Sequence, residues 1–152
     1  RVSQLFNKTN QLNLKTRRLS QDEIVKWINF NKKKKKIFII EVKDRLGDLG
    51  LVGIITLEQV DSVVNIVDFI LSCRVMGRKI EDLMIWLALN YAKKIDAKMV
   101  RAQLIPSKRN RPTHDILIAS ILESTGKNIF EVSSKIKMEP PKELFIENKV
   151  IE

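Results

Sequence analysis

The sequence predicts an α+β fold in which a central, mixed but mostly antiparallel sheet is flanked by helices. Three apolar runs rich in β-branched residues, at 37–42, 51–57 and 63–73, follow one another through short polar turns and favour an antiparallel meander. Residues 80–93 carry apolar side chains at helical spacing, so one face of a helix is expected to pack inward. A further apolar run at 99–105 follows that helix and predicts another strand.

Short local signals predict the elements that precede the meander. Residues 1–10 predict a helix, which we expect to lead in from a longer polypeptide because the chain opens with an internal-looking arginine. Residues 12–18 predict a first strand. Ser20 and Glu23 have the spacing of a capping box, in which each side chain satisfies a free amide of the other, and predict a helix to about residue 29.

Turn residues separate the later elements. Residues 44–50, with two glycines and two aspartates, are expected to join the first two strands of the meander, and residues 59–62 join the next two. Pro112 can open a helix whose apolar part is 116–122, and Gly126 is expected to end it.

The C-terminal part of the chain carries weaker signals. Residues 128–132 predict a strand, and 133–152 predict an irregular tail in which two adjacent prolines precede a short strand at 144–146. With 152 residues, of which 44% are hydrophobic, the chain suits one domain over 1–152 with a sizeable core.

The composition indicates which classes of binding partner to expect. The net charge of +10, from 28 basic and 18 acidic residues, favours anionic partners. The lysine run at 32–36 is expected to be a solvated loop, and nucleic acid is not expected because aromatic residues are sparse. No apolar run approaches the roughly 18 residues of a membrane helix, and no secretory leader is visible, so we expect a cytoplasmic protein without membrane partners. One cysteine and one histidine make a cysteine- or histidine-based metal site unexpected.

The segment LSCRVMGRKIE at 71–81 carries the clearest chemical signal. An apolar strand ends there in a glycine turn, and a helix begins. Arg74, Arg78 and Lys79 surround Gly77, so cations and free amides meet at the positive end of a helix dipole, which is a favourable place for a diphosphate. An ordinary turn with solvated basic side chains is the alternative.

Five blocks of the sequence resemble a known family. The turn matches two fixed positions of the acyl-CoA-binding motif [QR]-x-x-G-x-[GA] of Gcn5-related N-acetyltransferases. The wider resemblance is to the acetyltransferase-like C-terminal domain of FkbH-like proteins, whose N-terminal half is haloacid-dehalogenase-like. The blocks that carry it are KTNQLN (8–13), KTRR (15–18), RLGDLGLVG (45–53), LSCRVMGRKIE (71–81) and PSKRNRPTHDIL (106–117).

This resemblance implies a fold in which two central strands splay apart and admit the pantetheine arm of coenzyme A or of an acyl carrier protein. The splay would lie around 69–71, with 99–103 as the facing strand, and unpaired backbone groups there would bond the arm as they would an added strand. Lys79 replaces the family's small residue and adds bulk near the phosphates. The residues that the resemblance assigns to the thioester are Phe69, Ile70, Leu71, Arg74, Val75, Met76, Gly77, Arg78, Lys79, Ile80 and Asn110.

Catalytic machinery is harder to place. Acetyltransferases of the related fold use a base for the attacking amine and often a tyrosine acid for the leaving thiolate. Related sequences place that tyrosine after Asp-Phe, where this chain has Asp115, Ile116 and Leu117, so the hydroxyl is absent. The single tyrosine, Tyr91, is expected on the core side of another helix.

Three side chains are candidates for catalytic groups: Asp68, Cys73 and His114. Asp68 falls in an apolar strand, where it is either a base or a hydrogen-bonded structural carboxylate. Cys73 borders the glycine turn with His114 predicted nearby, and a buried, inert cysteine is the alternative. Candidates for the acceptor side of the cleft, with turn formation as the alternative role, are Asn10, Thr16 and Arg17.

Two functions follow from the resemblance. The first is an acyltransferase-like domain that binds acyl-CoA or an acyl-phosphopantetheine carrier thioester, without a metal, and assists acyl transfer in polyketide-type biosynthesis. The second is a non-catalytic docking module of the same fold, which holds an acidic acyl carrier protein for a haloacid-dehalogenase-like domain of the same polypeptide. The positive charge favours the docking of an acidic carrier.

Overall fold

Four helices flank a six-stranded mixed sheet in a computed structural model that describes residues 2–9 and 11–147. The helices are α1 (Val2–Lys8), α2 (Gln21–Asn29), α3 (Ile80–Lys94) and α4 (Arg111–Ala119). The strands are β1 (Lys35–Asp44), β2 (Gly47–Val60), β3 (Val63–Leu71), β4 (Met99–Gln103), β5 (Glu123–Gly126) and β6 (Ile129–Ser133).

The strands lie in the order β1-β2-β3-β4-β6-β5, and the β3–β4 pair is the parallel one. The pairs on either side of it are antiparallel. The predicted α+β architecture with a mixed, mostly antiparallel sheet is therefore confirmed. None of the helices in residues 2–9 and 11–147 has both the length and the apolar character needed to cross a bilayer.

The β1–β2 hairpin is tighter than the sequence predicts. Its strands continue to Asp44 and from Gly47, so two residues form the connection. The Asp44 carboxylate accepts hydrogen bonds from the amides of Leu46 (2.7 Å) and Gly47 (3.1 Å), which fixes the turn. Farther along β2, Gly53 faces Ile40 of β1, and a Cβ at this position would lie 3.1 Å from the Ile40 Cδ1 atom. The absence of a side chain at Gly53 lets the two strands pack closely.

Each face of the sheet has its own apolar cluster. The face toward α3 holds the larger one, in which Leu57, Val64 and Ile66 pack with the inward side of that helix. On the other face, α1 and α2 cover a smaller cluster of Phe6, Ile24, Ile54 and Ile70. Successive residues of a strand point to opposite faces, which explains why neighbouring residues of β2 and β3 belong to different clusters.

The capping box is confirmed at the start of α2. The Ser20 hydroxyl accepts from the Glu23 amide at 3.3 Å, and the Glu23 carboxylate accepts from the Ser20 amide at 2.7 Å. The hydrogen bond from the Ser20 amide favours the ionised form of the Glu23 carboxylate, so the pKa of Glu23 is lowered. The predicted helix at the start of the chain is confirmed over Val2–Lys8, while the ends of that prediction at Arg1 and Asn10 lie outside the described residues.

The strand predicted for residues 12–18 is wrong. Its only ladder contact within the described residues is one antiparallel bridge between Asn13 and Ile70. The Asn13 side-chain oxygen accepts from the amides of Lys15 (3.3 Å) and Thr16 (2.8 Å), and Thr16 adopts a left-handed φ of 51°. This side-chain turn bends the chain away from an extended course.

Two further boundaries differ from prediction near the C-terminus. Helix α4 ends at Ala119, where the Ser120 hydroxyl donates to the Leu117 carbonyl, and Gly126 belongs to β5 instead of ending the helix. Residues 134–147 contain turns but no strand, so the predicted strand at 144–146 is absent; residues 148–152 of the predicted tail lie outside the described residues.

Candidate functional site

The chain between β3 and α3 forms a glycine turn at residues 72–79. Gly77 has a φ of +75°, which a side chain would strain, and a Cβ there would meet nothing within 4 Å. The amides of Val75, Met76 and Arg78 donate to carbonyls three residues back at 3.2–3.3 Å. The expectation that the amides of residues 75–80 are free for phosphate is therefore wrong for these three.

A fourth amide of the turn, that of Gly77, donates to a carboxylate of the protein itself. The side chain of Glu81 is buried, and its oxygen accepts a hydrogen bond from the Gly77 amide at 2.7 Å. Glu81 and Asp82 both lie in the first turn of α3, where negative charge is favourable toward the helix dipole. Glu81 was not among the predicted site residues, although an acidic residue at the second position of a predicted helix was an available signal.

Free donors remain at the start of α3. The amides of Lys79, Ile80, Glu81 and Asp82 have no hydrogen-bond partner among residues 2–9 and 11–147. They are the orphan amides that any helix N-terminus presents, and they all lie on the C-terminal side of Gly77. An anion at this end of the turn would meet these four groups, in contrast to the bonded amides of residues 75–78.

Two of the three predicted phosphate cations have carboxylate partners. Arg78 donates to Asp44 at 2.9 Å, and Lys79 lies 3.1 Å from Asp82. The pKa of Asp44 is lowered, first by the Leu46 amide and then by Arg78, and the pKa of Lys79 is raised by its hydrogen bond to Asp82. Both pairs are partly exposed to solvent, where ion pairs contribute little, so each can be exchanged for an incoming anion at small cost.

Arg74 is the remaining cation of the turn. It is exposed, its Nε donates to the Ser72 hydroxyl at 3.3 Å, and it has no carboxylate partner in the described part of the chain. Its terminal nitrogens are available to an anion beside Gly77. Of the three predicted phosphate cations, Arg74 therefore needs the least rearrangement to bind one.

The strands β3 and β4 separate beyond Ile66. Their parallel pairing covers Val63–Ile66 and Met99–Ala102, so residues 99–103 pair with the first half of β3 and do not face residues 69–71 across a gap. The predicted splay is present, but the expected facing strand is corrected to the chain that follows Gln103.

Residues 11–14 of the same chain fill the splay, and we call them the strap. The Leu14 amide donates to the Phe69 carbonyl at 3.2 Å, and the Leu71 amide donates to the Leu12 carbonyl at 3.0 Å. On the opposite edge, the Ile105 amide donates to the Leu14 carbonyl at 3.1 Å. The expectation that backbone groups at 69–71 are unpaired is therefore wrong.

Polar side chains around the start of α4 hold the strap. The Thr113 hydroxyl accepts from the Asn13 amide at 3.0 Å and donates to the Gln11 carbonyl at 2.8 Å. Asn110, predicted to touch the thioester, donates to the carbonyls of Asn13 (3.1 Å) and Ile105 (2.9 Å). The side chains of Asn13, Asn110 and Thr113 are all at most 1% exposed. Sequence reasoning missed Thr113, whose partners lie about 100 residues away in the chain.

Asp68 is held as a structural carboxylate. It is fully buried, pairs with the guanidinium of Arg17 through two nitrogens, and accepts from the Thr56 hydroxyl at 2.6 Å. Arg17 also lies over the Trp27 ring, with 5.7 Å from its Cζ to the ring centroid. These contacts favour the structural alternative for Asp68 over the base, and they engage the half-buried guanidinium of Arg17 in an ion pair.

The other catalytic candidates do not form a unit. Cys73 is exposed, so the alternative of a buried cysteine is wrong. The His114 Nδ1 atom lies 3.7 Å from an Asp115 oxygen, and its ring packs edge-on against Phe130 at 5.9 Å. Within residues 2–9 and 11–147, no hydrogen bond links Cys73 to His114. The candidate Asn10 lies outside the described residues.

The position of the missing tyrosine is apolar and closed. Leu117 is fully buried in the main core, so no hydroxyl at this position faces a site. Tyr91 packs against the same core, and burial raises its pKa. Among the described residues, no cluster of three or more histidine, cysteine or acidic side chains is arranged to hold a metal ion.

A polar groove of about 620 Å³ lies along β3 and β4, near the β2–β3 turn. Its lining includes Asn65 of β3 and Arg101 of β4, which are register partners, together with Lys15 and Glu58. Val64 and Ile66, on either side of Asn65, point to the α3 core, so the groove lies on the sheet face opposite that helix.

Comparison with known proteins relates this geometry to solved structures. No family model matches the chain, and no curated protein matches it in sequence. An N-acetyltransferase from Staphylococcus aureus Mu50 is similar with a TM-score of 0.65 and 12% identity, over 88% of this chain and 91% of that one. Spermidine N-acetyltransferase from Vibrio cholerae, solved in complex with CoA and spermine, gives 0.62 and 12%, over 88% of both chains.

A domain from Methanocaldococcus jannaschii DSM 2661 is also similar, with a TM-score of 0.59 and 20% identity over 76% of both chains. The likeness to the two acetyltransferases extends over nearly nine-tenths of this chain. This chain has the fold of Gcn5-related N-acetyltransferases. At identities of 12–20% these likenesses establish the acetyltransferase fold alone, because one fold hosts many functions.

Proposed function

We propose that this protein binds a phosphopantetheine thioester, carried by coenzyme A or by an acyl carrier protein, and assists transfer of its acyl group. The observation that carries the proposal is the glycine turn between β3 and α3, which lies beside the splay of β3 and β4 within an acetyltransferase fold. The V. cholerae neighbour binds CoA in a related fold. The five sequence blocks support an FkbH-like parent with a haloacid-dehalogenase-like partner domain.

The turn would bind the phosphates. The positive end of α3 offers four amides at residues 79–82 that have no partner within the described residues, and the exposed guanidinium of Arg74 lies in the same turn. A phosphate bound there also attracts Arg78 and Lys79, whose present partners are the half-buried carboxylates of Asp44 and Asp82. Glu81 opposes this anion, although its charge is directed at the Gly77 amide.

The thioester arm would run along β3 toward the sheet centre. The Phe69 carbonyl and the Leu71 amide point into the splay, where the strap now pairs with them. An arm with two amides offers the same kind of donor and acceptor as an added strand. The thioester would then lie near the polar groove, where an acceptor could approach from the face opposite α3.

In acyl transfer, the acceptor amine attacks the thioester carbonyl carbon, the C–N bond forms, and the C–S bond breaks. The amine loses a proton to a base or to water, and the leaving thiolate takes up a proton. Neither a tyrosine acid at residue 117 nor a free carboxylate at Asp68 is present to move these protons. Positioning of the two reactants would therefore supply the acceleration.

A second candidate is a non-catalytic docking module of the same fold. The buried Leu117 and the fully bonded Asp68 favour it, because neither position offers a proton-transfer group. The net charge of +10 suits an acidic carrier protein. In this case the phosphopantetheine would be held for chemistry performed by another domain.

Calorimetric titration tests both candidates. We expect acetyl-CoA and an acyl carrier protein to bind, and Gly77→Val to weaken binding at least tenfold, because its side chain enters the open space beside the turn. Gly50→Val is the matched control, since Gly50 has a similar φ of +63° in the β1–β2 hairpin. Unchanged affinity in Gly77→Val would place the site elsewhere. Carrier binding without CoA competition or turnover would favour the docking module.

A further inference from the structure

The strap occupies the place of a strand without belonging to a ladder. Leu12 and Leu14 are fully buried between the second half of β3 and the chain after β4. They use the same main-chain groups, the Phe69 carbonyl and the Leu71 amide, that the proposed thioester arm would use. Strap and arm therefore compete for one position.

The strap has little regular pairing. It has a single bridge to β3 and three main-chain hydrogen bonds, whereas four consecutive residue pairs join β4 to β3. Thr113 and Asn110 add three side-chain hydrogen bonds to the backbone at Gln11 and Asn13, and the side chains of Leu12 and Leu14 pack in the main core. Within the described residues, no buried side-chain polar atom lacks a partner, so the closed arrangement is complete in itself.

We propose that the strap is an exchangeable strand, which residues 11–14 insert in the free protein and which the thioester arm displaces on binding. This inference rests on the proposed function. One amide of the arm takes the place of the Leu14 N–H, and one carbonyl takes the place of the Leu12 C=O. No covalent bond changes in the exchange.

Displacement sets the apparent affinity. When only a fraction of the molecules is open, the apparent Kd equals the intrinsic Kd divided by that fraction. Weakening the strap raises the open fraction and tightens apparent binding, whereas a change that weakened the site itself would have the opposite sign. This reversal of sign distinguishes an exchangeable strand from a structural element of the site.

Thr113→Val tests the exchange, because it keeps the side-chain shape and removes the hydroxyl that bonds Gln11 and Asn13. We expect coenzyme A to bind Thr113→Val about 25-fold more tightly than the unmodified chain, which corresponds to two lost hydrogen bonds at about fivefold each. Thr113→Ser should restore the original affinity. Ser134→Ala is the matched control, since it removes another buried hydroxyl, bonded to the Ala97 carbonyl, away from the strap.

Amide hydrogen exchange, resolved by NMR, tests the same inference on the unmodified chain. Saturating coenzyme A should speed exchange of the Leu14 amide, which loses the Phe69 carbonyl, while the Leu71 amide stays protected by the arm. Protection of Leu14 unchanged by bound coenzyme A, with no gain in affinity for Thr113→Val, would overturn the exchange and leave the proposed function standing. Binding to Thr113→Val alone would support the exchange. If neither coenzyme A nor a phosphopantetheine-loaded acyl carrier protein bound to the unmodified chain or to Thr113→Val, the proposed function and the exchange would be overturned together.

Discussion

The two halves of β3 differ in how the edge toward β4 is satisfied. From Val63 to Ile66 the edge is joined to β4 by a regular parallel ladder. From Phe69 to Leu71 the same edge is joined to the strap by two main-chain hydrogen bonds and one bridge. Phe69–Leu71 are fully buried, whereas Val63 and Asn65 of the first half are only partly buried, so greater exposure does not account for the irregular pairing of the second half.

What distinguishes them is the origin of the support. A ladder links every second residue through the backbone, and its strength depends little on side-chain identity. The strap has fewer regular backbone pairs and relies in addition on the polar side chains of Asn13, Asn110 and Thr113. One strand can thus be permanent in its first half and exchangeable in its second, which is the property a binding edge needs.

Among the substitutions near the two halves of β3, replacement of Arg17 should lower the free energy of unfolding most. Arg17 follows the strap and pairs with Asp68, which is fully buried between the two halves of β3. Arg17→Ala leaves that carboxylate without its cation, and we expect the free energy of unfolding to fall by about 3–5 kcal/mol. Urea unfolding monitored by circular dichroism measures the change.

The double variant Arg17→Met/Asp68→Leu is the control for this effect. Removing both charges should restore a large part of the stability, because replacing a buried pair by apolar side chains is often neutral. A loss under 1 kcal/mol in Arg17→Ala would show that solvent already screens the pair.

A substitution at Gly53 tests the other edge of β3, the edge that pairs with β2. Gly53 of β2 pairs with Leu71 at the end of the second half, and an added Cβ would lie 3.3 Å from the Leu71 Cδ1 atom and 3.1 Å from Ile40. Gly53→Ala should reduce the free energy of unfolding by about 1–2 kcal/mol. In the control Gly126→Ala, the new Cβ makes an ordinary contact at 3.7 Å, and we expect little change. Equal effects of the two substitutions would show that Ile40 and Leu71 yield freely.

The helix after the strap should respond less. Ser20→Ala removes the hydroxyl of the capping box and should lower stability by about 1 kcal/mol. Hydrogen exchange should quicken in the first turn of α2, while the four residue pairs between β3 and β4 remain protected. Faster exchange along that ladder would mean that the two halves of β3 open together, contrary to the comparison.

The smallest expected effect is on the pH dependence of stability, through a carboxylate on β6, the strand beyond β4. Hydrogen bonds from Thr125 and then from Arg101 lower the pKa of Glu131 on β6. A lowered folded-state pKa gives stability that is present above the ordinary carboxylate value and is lost as the pH falls through the folded pKa. Thr125→Val should therefore flatten the fall in unfolding free energy between these two pH values, measured in urea at successive pH. An unchanged slope would assign the pH dependence to other carboxylates.

Most elements of the fold were predictable because their signals are local. The meander, α3 and the cap of α2 follow from apolar spacing and from Ser20 and Glu23, which lie three residues apart. The strap was not predictable in the same way. Leu12 and Leu14 alternate with polar residues as in any strand, and only contacts with α4, about 100 residues away, place them in the splay.

The same difference between local and long-range signals applies to the residues of the site. The glycine turn was predicted from its sequence, and the structure adds that Gly77 has a left-handed φ of 75°. The bonding of its amides was not, because the use of the Gly77 amide by Glu81 depends on a rotamer that no spacing rule specifies. The pairing of Asp68 with Arg17 likewise joins residues 51 positions apart.

The exposure of Cys73 has a practical consequence. The chain has a single cysteine, and this thiol lies at the solvent-facing start of the glycine turn. A maleimide fluorophore would therefore attach at one site without any engineered residue. A ligand that binds at the glycine turn would change the emission of such a label, so the native sequence already supplies the attachment site for a binding assay.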